Sequence, residues 1–201
     1  MSWCPIPRGR KKRSLRRRLA RLGPRSIILF EDETDLLLFP PLRACWARRG
    51  QEAPVPLSGA NARRVVFGAL NPRTGHRLFL VRARQRAEDF SVFLQTIHAH
   101  YRSRDGVVLL DEDSSHTASA SQRLAAELAI ELLWLPKRCP ELNPLEALWR
   151  NGKNTICANR QYATIEEQVE RFRVHLYSLS ACETRQKTGL LSKHFWLKSV
   201  L

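Results

Sequence analysis

Short apolar runs, set apart by polar stretches rich in Gly and Pro, organise this chain. Ser26-Ile27-Ile28-Leu29-Phe30 predicts a buried strand, which runs straight into Glu31-Asp32-Glu33-Thr34-Asp35. Residues 36–62, punctuated by Pro40, Pro41, Pro54, Pro56 and Gly59, predict a loop. Arg64 to Leu70 predicts a second strand; the turn Asn71-Pro72-Arg73-Thr74-Gly75 leads to a third at residues 77–81, which makes a hairpin. Phe90, Phe93, Leu94 and Ile97 fall on one face of a helix over 87–102. Gly106-Val107-Val108-Leu109-Leu110 is a fourth strand, again running into acids, Asp111-Glu112-Asp113. A helix over 119–129 and a fifth strand over 130–135 follow. Asn143-Pro144 opens another helix, with Asn as N-cap and Pro at the first helical position. Ile165, Val169, Phe172, Leu176 and Leu179 line one face of a last long helix. Antiparallel strands come first and α/β crossovers second, which predicts an α/β fold: a mixed sheet with helices on both faces.

Charge adds a partner to this picture. The 201 residues carry a formal net charge of +15, with 34 Lys and Arg against 19 Asp and Glu. Residues 1–25 hold ten of the cations and no acid, and Arg10, Lys11, Lys12, Arg13, Arg16 and Arg17 are interleaved with Leu15, Leu19 and Leu22 at near-helical spacing. This predicts a basic helix that forms on a polyanion, most simply DNA or RNA. Five scattered cysteines without a CxxC pair exclude a disulfide framework and a zinc ribbon, and point to a reducing cytoplasm. No apolar run nears the ~18 residues of a spanning helix, so no membrane is expected.

The acids suggest chemistry. Two strands end at acidic clusters, where α/β sheets gather their sites, and a third acid, Glu146, lies in the first turn of the helix after Asn143. Carboxylates converging from three elements repel unless hard cations sit between them, and such ions can clamp both oxygens of a phosphodiester in transfer. Taken singly, Asp32 and Asp111 read more readily as caps than as catalytic acids, and Asn143 with Glu146 equally as a near capping box. Glu31, Glu33, Glu112 and Asp113 are expected to face solvent or stand behind the primary ligands, and His116 to mark a turn or helix start. Glu146, Arg150 and Lys153 share a helical face, beside a buried stripe of Leu142, Leu145, Leu148 and Trp149. Trp3, Trp46, Trp134, Trp149 and Trp196 could stack on bases; Trp134 and Trp149 read as core, and Trp46, in a cationic loop with Arg43, Arg48 and Arg49, is the one placed near DNA.

Three blocks carry a family resemblance. Residues 135–149, Leu-Pro-Lys-Arg-Cys-Pro-Glu-Leu-Asn-Pro-Leu-Glu-Ala-Leu-Trp, resemble the LPxxxPxLNPxExxW block of Tc/mariner-type transposases, including their bacterial insertion-sequence branch. Leu109 to His116 resembles that family's second acidic block, and Phe30 to Thr34 its first. Asp111 and Glu146 are separated by 34 residues, the family's spacing. The resemblance implies an RNase H-like mixed five-stranded sheet flanked by helices, and a catalytic, metal-holding triad of Asp32, Asp111 and Glu146. It implies two Mg²⁺ or Mn²⁺ ions and double-stranded DNA, both transposon ends and target, as partner. It also implies a homodimer on paired ends and a bacterial, nucleoid-associated location. Lys137 and Arg138, with Arg48, Arg49, Arg150 and Lys153, join the DNA-contact set. Glu112 departs from the pattern, standing where the family usually has Asn. Only about 25 residues precede the first strand, too few for the helix-turn-helix region that usually reads the transposon end. The expected organisation is a basic arm (1–25), a DDE catalytic domain (26–182) and a C-terminal tail (183–201). The function expected is DNA strand cleavage and strand transfer by a truncated transposase. Its alternatives are an RNase H-like nuclease without transfer and an inactive DNA-binding remnant.

Overall fold

The structure, a computed structural model, describes residues 8–23, 26–101 and 106–201. Trp3, Arg25 and residue 102 at the end of the predicted helix lie outside the described residues, as does the side chain of Arg8. In chain order the elements are α1 (Arg8–Ala20), β1 (Ile27–Leu37), β2 (Arg63–Leu70), β3 (Arg77–Arg82), α2 (Ala87–His100), β4 (Gly106–Leu110), α3 (Ser114–Thr117), α4 (Ser119–Glu127), β5 (Ile130–Trp134), α5 (Leu145–Gly152), α6 (Ile165–Ser178) and α7 (Ala181–Lys187). The five strands form one mixed sheet in the order β3-β2-β1-β4-β5. The β1/β2 and β2/β3 pairs are antiparallel; β1/β4 and β4/β5 are parallel.

Helices cover both faces, so the central strands are apolar at every position rather than at alternate ones. Ile28 and Phe30 of β1 and Val107 and Leu109 of β4 pack on the side of α1, α5 and α6. Ile27, Leu29, Val108 and Leu110 pack on the side of α2 and α4 with Phe90, Phe93 and Leu94.

The first strand differs from expectation. It does not stop at Phe30 but runs through the acids to Leu37. β4 leaves it after the Phe30–Leu109 pair, while β2 stays paired as far as Leu37–Arg63. The acids therefore stand at the C-terminal edge of β4 yet in the middle of β1, with Asp32 opposite Gly68.

Both ends of the described residues also pack. The helix of the basic segment lies on the domain itself: Leu15 and Leu19 are buried in the core and Arg18 forms a two-pronged pair with Glu131. Residues 183–201 continue α7 and bring Leu190, Trp196 and Leu197 into the core, where Phe195 and Trp196 edge onto Phe30. The Trp196 indole N–H donates to Leu142 O at 2.9 Å. In contrast, the long segment between β1 and β2 is mostly exposed, and Trp46 stands wholly in solvent at 102% exposure.

Candidate active site

Strand alternation sorts the acids of β1. Successive side chains of a strand point to opposite faces. Asp32 shares its face with Ile28 and Phe30, toward α5, whereas Glu31 and Glu33 point to the opposite face, toward α3. On the α5 side the Trp149 indole N–H donates to Asp32 Oδ2 at 3.0 Å. The Asn143 side chain ties the start of α5 to the same strand. Its amide donates to Glu31 O at 2.7 Å, and its Oδ1 accepts from Leu145 N–H at 3.2 Å. The Asn143 N–H goes to Pro140 O at 2.9 Å, so the Glu146 carboxylate is not drawn into a capping box. Asp111, just past β4, completes the group: Asp32, Asp111 and Glu146 line one cleft of about 120 Å³ with Leu135, Pro136, Arg138, Cys139, Pro140 and Asn143. A roomier hollow of about 330 Å³ lies elsewhere, at the root of the long exposed segment, and its only ionisable groups besides Cys157 are Asp35 and Lys153. Convergent chemistry, rather than size, marks the smaller cleft.

Burial, and then the charges of Glu146 and Glu33, push the Asp32 carboxyl up to about 8, against the Trp149 N–H, which lowers it. Asp111 is held below the usual carboxylate range, chiefly by its hydrogen bond with His116. A divalent cation would relieve the repulsion that raises Asp32. The three converging donors are hard carboxylate oxygens, the kind that Mg²⁺ and Mn²⁺ take. The residues present fit such ions.

Behind Asp111 lies a buried group that pattern reading underrated. Glu31 is wholly buried, and the side chains of His116 and Glu33 are 1% and 8% exposed, so neither glutamate faces solvent. His116 lies within the short helix Ser114–Thr117, close to the helix start expected for it, but its ring is enclosed against Phe90 with centroids 4.5 Å apart. Its Nδ1 lies 3.1 Å from Asp111 Oδ1 and its Nε2 2.9 Å from Glu33 Oε1. Burial works against a charged ring here, but Glu31, Asp111 and Glu33 outweigh it and push His116 up to about 12. Glu31 is raised well above the usual range, first by burial and then by Glu33. Donor atoms of Glu31, Glu33 and His116 all lie within 4.8 Å of one another. The signal was available in the sequence as the two-residue spacing of Glu31 and Glu33, opposite in parity to Asp32.

The cationic residues divide. Arg138 lines the cleft. Lys137 and Lys11 both pair with Glu112, at 3.1 and 2.6 Å. Arg10, Arg13, Arg16 and Arg17 are exposed along α1, Arg16 donating to Ser199 at 2.8 Å, and Lys12 stands 6.0 Å over the Trp196 ring. Arg48 and Arg49 are exposed near Trp46, and Arg150 is exposed on α5. Lys153, two turns along the helix from Glu146, does not join it in the cleft. The backbone widens into a π turn at Lys153–Cys157, and Lys153 lines the 330 Å³ hollow instead of the cleft.

Comparison with known proteins follows the same residues. Residues 27–168 match the family described as DDE superfamily endonuclease. The chain is 26% identical over 155 residues to an uncharacterized 39 kDa protein of insertion element IS630 from Shigella sonnei, a match covering 76% of this chain and 45% of that protein. It is 32% identical over 108 residues to the uncharacterized protein y4pE/y4sA of Sinorhizobium fredii, covering 52% of this chain and 76% of that one. Among solved structures it is similar to the Mos1 transposase paired-end complex with left transposon end (TM-score 0.71, 15% identity, 100% of this chain and 65% of that one). It is also similar to the catalytic domain of Mos1 mariner transposase (TM-score 0.64, 14% identity, 98% of each chain). The sheet and its flanking helices are thus the RNase H-like fold of that catalytic domain, while the chain spans less than half the length of the IS630 protein. Among the described residues no helix is long and apolar enough to cross a membrane. With its three acidic blocks inside the matched span, the chain belongs to the DDE superfamily endonuclease family.

Proposed function

We propose that this chain is the catalytic domain of a Tc/mariner-type DNA transposase, which cleaves a DNA strand at a transposon end and joins it to a target. The observation that carries this reading is the convergence of Asp32, Asp111 and Glu146, from three separate elements, in one cleft. Those three residues would hold two Mg²⁺ or Mn²⁺ ions, which supply activation of the attacking oxygen and neutralise charge on the leaving one. Water breaks a phosphodiester at the transposon end and frees a 3′-hydroxyl, which then displaces a 3′-oxygen from a target phosphodiester.

The chain's own groups prepare that chemistry. The Trp149 N–H orients Asp32. Arg138 stands at the cleft to meet phosphate, while Lys11 and Lys137, gathered on Glu112, flank Asp111. The exposed cations of α1, Arg150 and the Trp46–Arg48–Arg49 segment offer further contacts to double-stranded DNA. A separate hollow of about 510 Å³ gathers Arg63, Arg84 and Arg86 beside Asp113 and Ser114, and suits backbone phosphates near the site. A homodimer on paired transposon ends, at the bacterial nucleoid, is the assembly this reading expects.

The test is an oligonucleotide cleavage and strand-transfer assay in Mg²⁺ or Mn²⁺. Wild type should cut and join, and Asp111→Ala and Glu146→Gln should do neither. Cleavage that survives Asp111→Ala would sink the reading. Cutting without joining identifies a nuclease, and salt-sensitive DNA binding without any product identifies an inactive remnant.

A further inference from the structure

Of the three cleft acids, Asp111 is the one that stands outside a strand or helix. It stands beyond the last ladder pair of β4, and its side chain is 66% exposed. Two donors hold it, both on Oδ1: the Asp113 N–H at 3.1 Å and His116 Nδ1 at 3.1 Å. The His116 ring cannot swing, because it is enclosed at 1% exposure against Phe90 and its other nitrogen meets Glu33 Oε1 at 2.9 Å. The short helix bearing His116 is itself pinned. The Asp113 side chain accepts from the N–H and hydroxyl of Ser115, both at 2.8 Å, and Ser121 Oγ donates to Ser115 O at 2.6 Å. Glu33 in turn is fixed by β1, where it pairs with Phe67.

We infer that Glu33 and His116 are positioning residues that carry the rigidity of β1 to Asp111, so that a loop carboxylate past the strand end is presented to the metal ions from a fixed position. Glu33 acts only through His116. Hydrogen-bonded groups behind a ligand of this kind typically govern metal affinity by about 10–100-fold. The inference rests on the proposed metal triad and assigns work to two residues outside it.

Orientation and bare charge predict different results. Removing Glu33's charge would weaken cation binding by Coulomb's law whichever residue replaced it, and removing any positive charge on His116 would tighten it. Positioning depends instead on whether an acceptor for Nε2 remains. The experiment is Mn²⁺ binding to the whole chain, followed by electron paramagnetic resonance, with fold checked by circular dichroism and melting. Mn²⁺ Kd should rise about 10-fold or more in Glu33→Ala and stay within about 3-fold in Glu33→Gln, whose side-chain oxygen still accepts. It should rise, not fall, in His116→Gln. At saturating Mn²⁺ the cleavage rate of Glu33→Ala should return toward wild type.

Wild-type affinity in a folded Glu33→Ala, equal losses in Ala and Gln, or tighter binding in His116→Gln would each overturn the inference. So would Mn²⁺ binding that is lost in Glu31→Gln yet kept in Asp32→Ala, because the ion would then sit among Glu31, Glu33 and His116. His116→Gln leaves two buried glutamates without their counter-ion; if it fails to fold, the Glu33 pair decides alone. Unchanged Mn²⁺ binding in Asp111→Ala would instead refute the metal triad itself.

Discussion

Gly68→Ala tests how the sheet holds Asp32 in place. Gly68 lies opposite Asp32 in the β1/β2 ladder. A Cβ added there would meet Trp149 Cη2 at 2.4 Å and Cζ2 at 2.5 Å. Ordinary contact begins near 3.4 Å, so the indole must retreat by about 1 Å. It is packed against Phe79 and Phe172, with ring centroids at 5.6 and 6.3 Å, and retreat meets resistance. Overpacking of this kind costs about 1–3 kcal/mol. The same movement stretches the Trp149–Asp32 hydrogen bond, now 3.0 Å, beyond reach. Loss of that bond at a partly buried carboxylate adds about 1 kcal/mol or more. Urea denaturation should therefore report a loss of about 2–4 kcal/mol, and melting a fall of about 10 °C. Without the N–H that lowers it, Asp32 should sit further above about 8 and hold its proton more tightly. Trp149→Phe removes the colliding ring atoms, so in that background Gly68→Ala should cost about 1 kcal/mol or less. Gly9→Ala, an exposed position of α1 where nothing lies within 4 Å, is the clash-free control and should stabilise by up to about 1 kcal/mol. An equal cost in both backgrounds would refute the reasoning.

Other perturbations probe the frame around the site. Arg77 is buried and donates to Leu176 O at 2.8 Å, to Tyr177 O at 3.0 Å and to Leu179 O, the carbonyls at the end of α6. Arg77→Ala should cost about 3 kcal/mol or more in urea denaturation, and Arg77→Lys should recover little, because one ammonium cannot reach the spread of acceptors. Leu19→Ala, at a wholly buried position of α1, should cost about 2–3 kcal/mol and make tryptic cleavage within residues 8–20 at least about tenfold faster; cleavage as fast in wild type would mean that α1 is not docked. Cys45 and Cys182 are exposed and should react with a maleimide within minutes, whereas Cys157 should react only on unfolding. Burial pushes the Cys157 thiol up to about 11, so raising the pH from 7 to 9 should not unmask it.

The elements were legible because each depends on local pattern. The two-sided apolar strands, the hairpin turn at Asn71–Gly75 and the stripe of Ile165, Phe172 and Leu176 all form where periodicity puts them. What escaped depends on pairing between distant segments. A charge run looks like a strand end, and β1 continues through one only because β2 goes on pairing after β4 has left. The leucine stripe of α1 was visible, but three leucines do not say whether the apolar face belongs to a partner or to the chain's own core. Trp196 and Leu197 lie in a segment without regular periodicity, so nothing local marked them as core. Lys153 missed the cleft because a shared helical face is not a shared cleft: two turns along the helix from Glu146, it lines the larger hollow.

The same logic explains why the cleft acids were found and their support was not. Asp111 follows a strand end and Glu146 opens a helix, positions that local reading can weigh, and Asp32 reads as a strand end although β1 runs on through it. Glu33 and His116 meet only because one residue of β1 lies a single step from Asp32. That step turns Glu33 to the opposite face of the sheet, where α3 happens to start. Parity along β1 thus divides three consecutive acids between two tasks. Asp32 enters the cleft, while Glu31 and Glu33 go to the buried ring that holds Asp111. Shifting β1 by one residue against its neighbours would exchange those tasks. The Phe30–Leu70 and Phe30–Leu109 pairs, with Phe30 wholly buried, are therefore as much a part of the site as the acids they align.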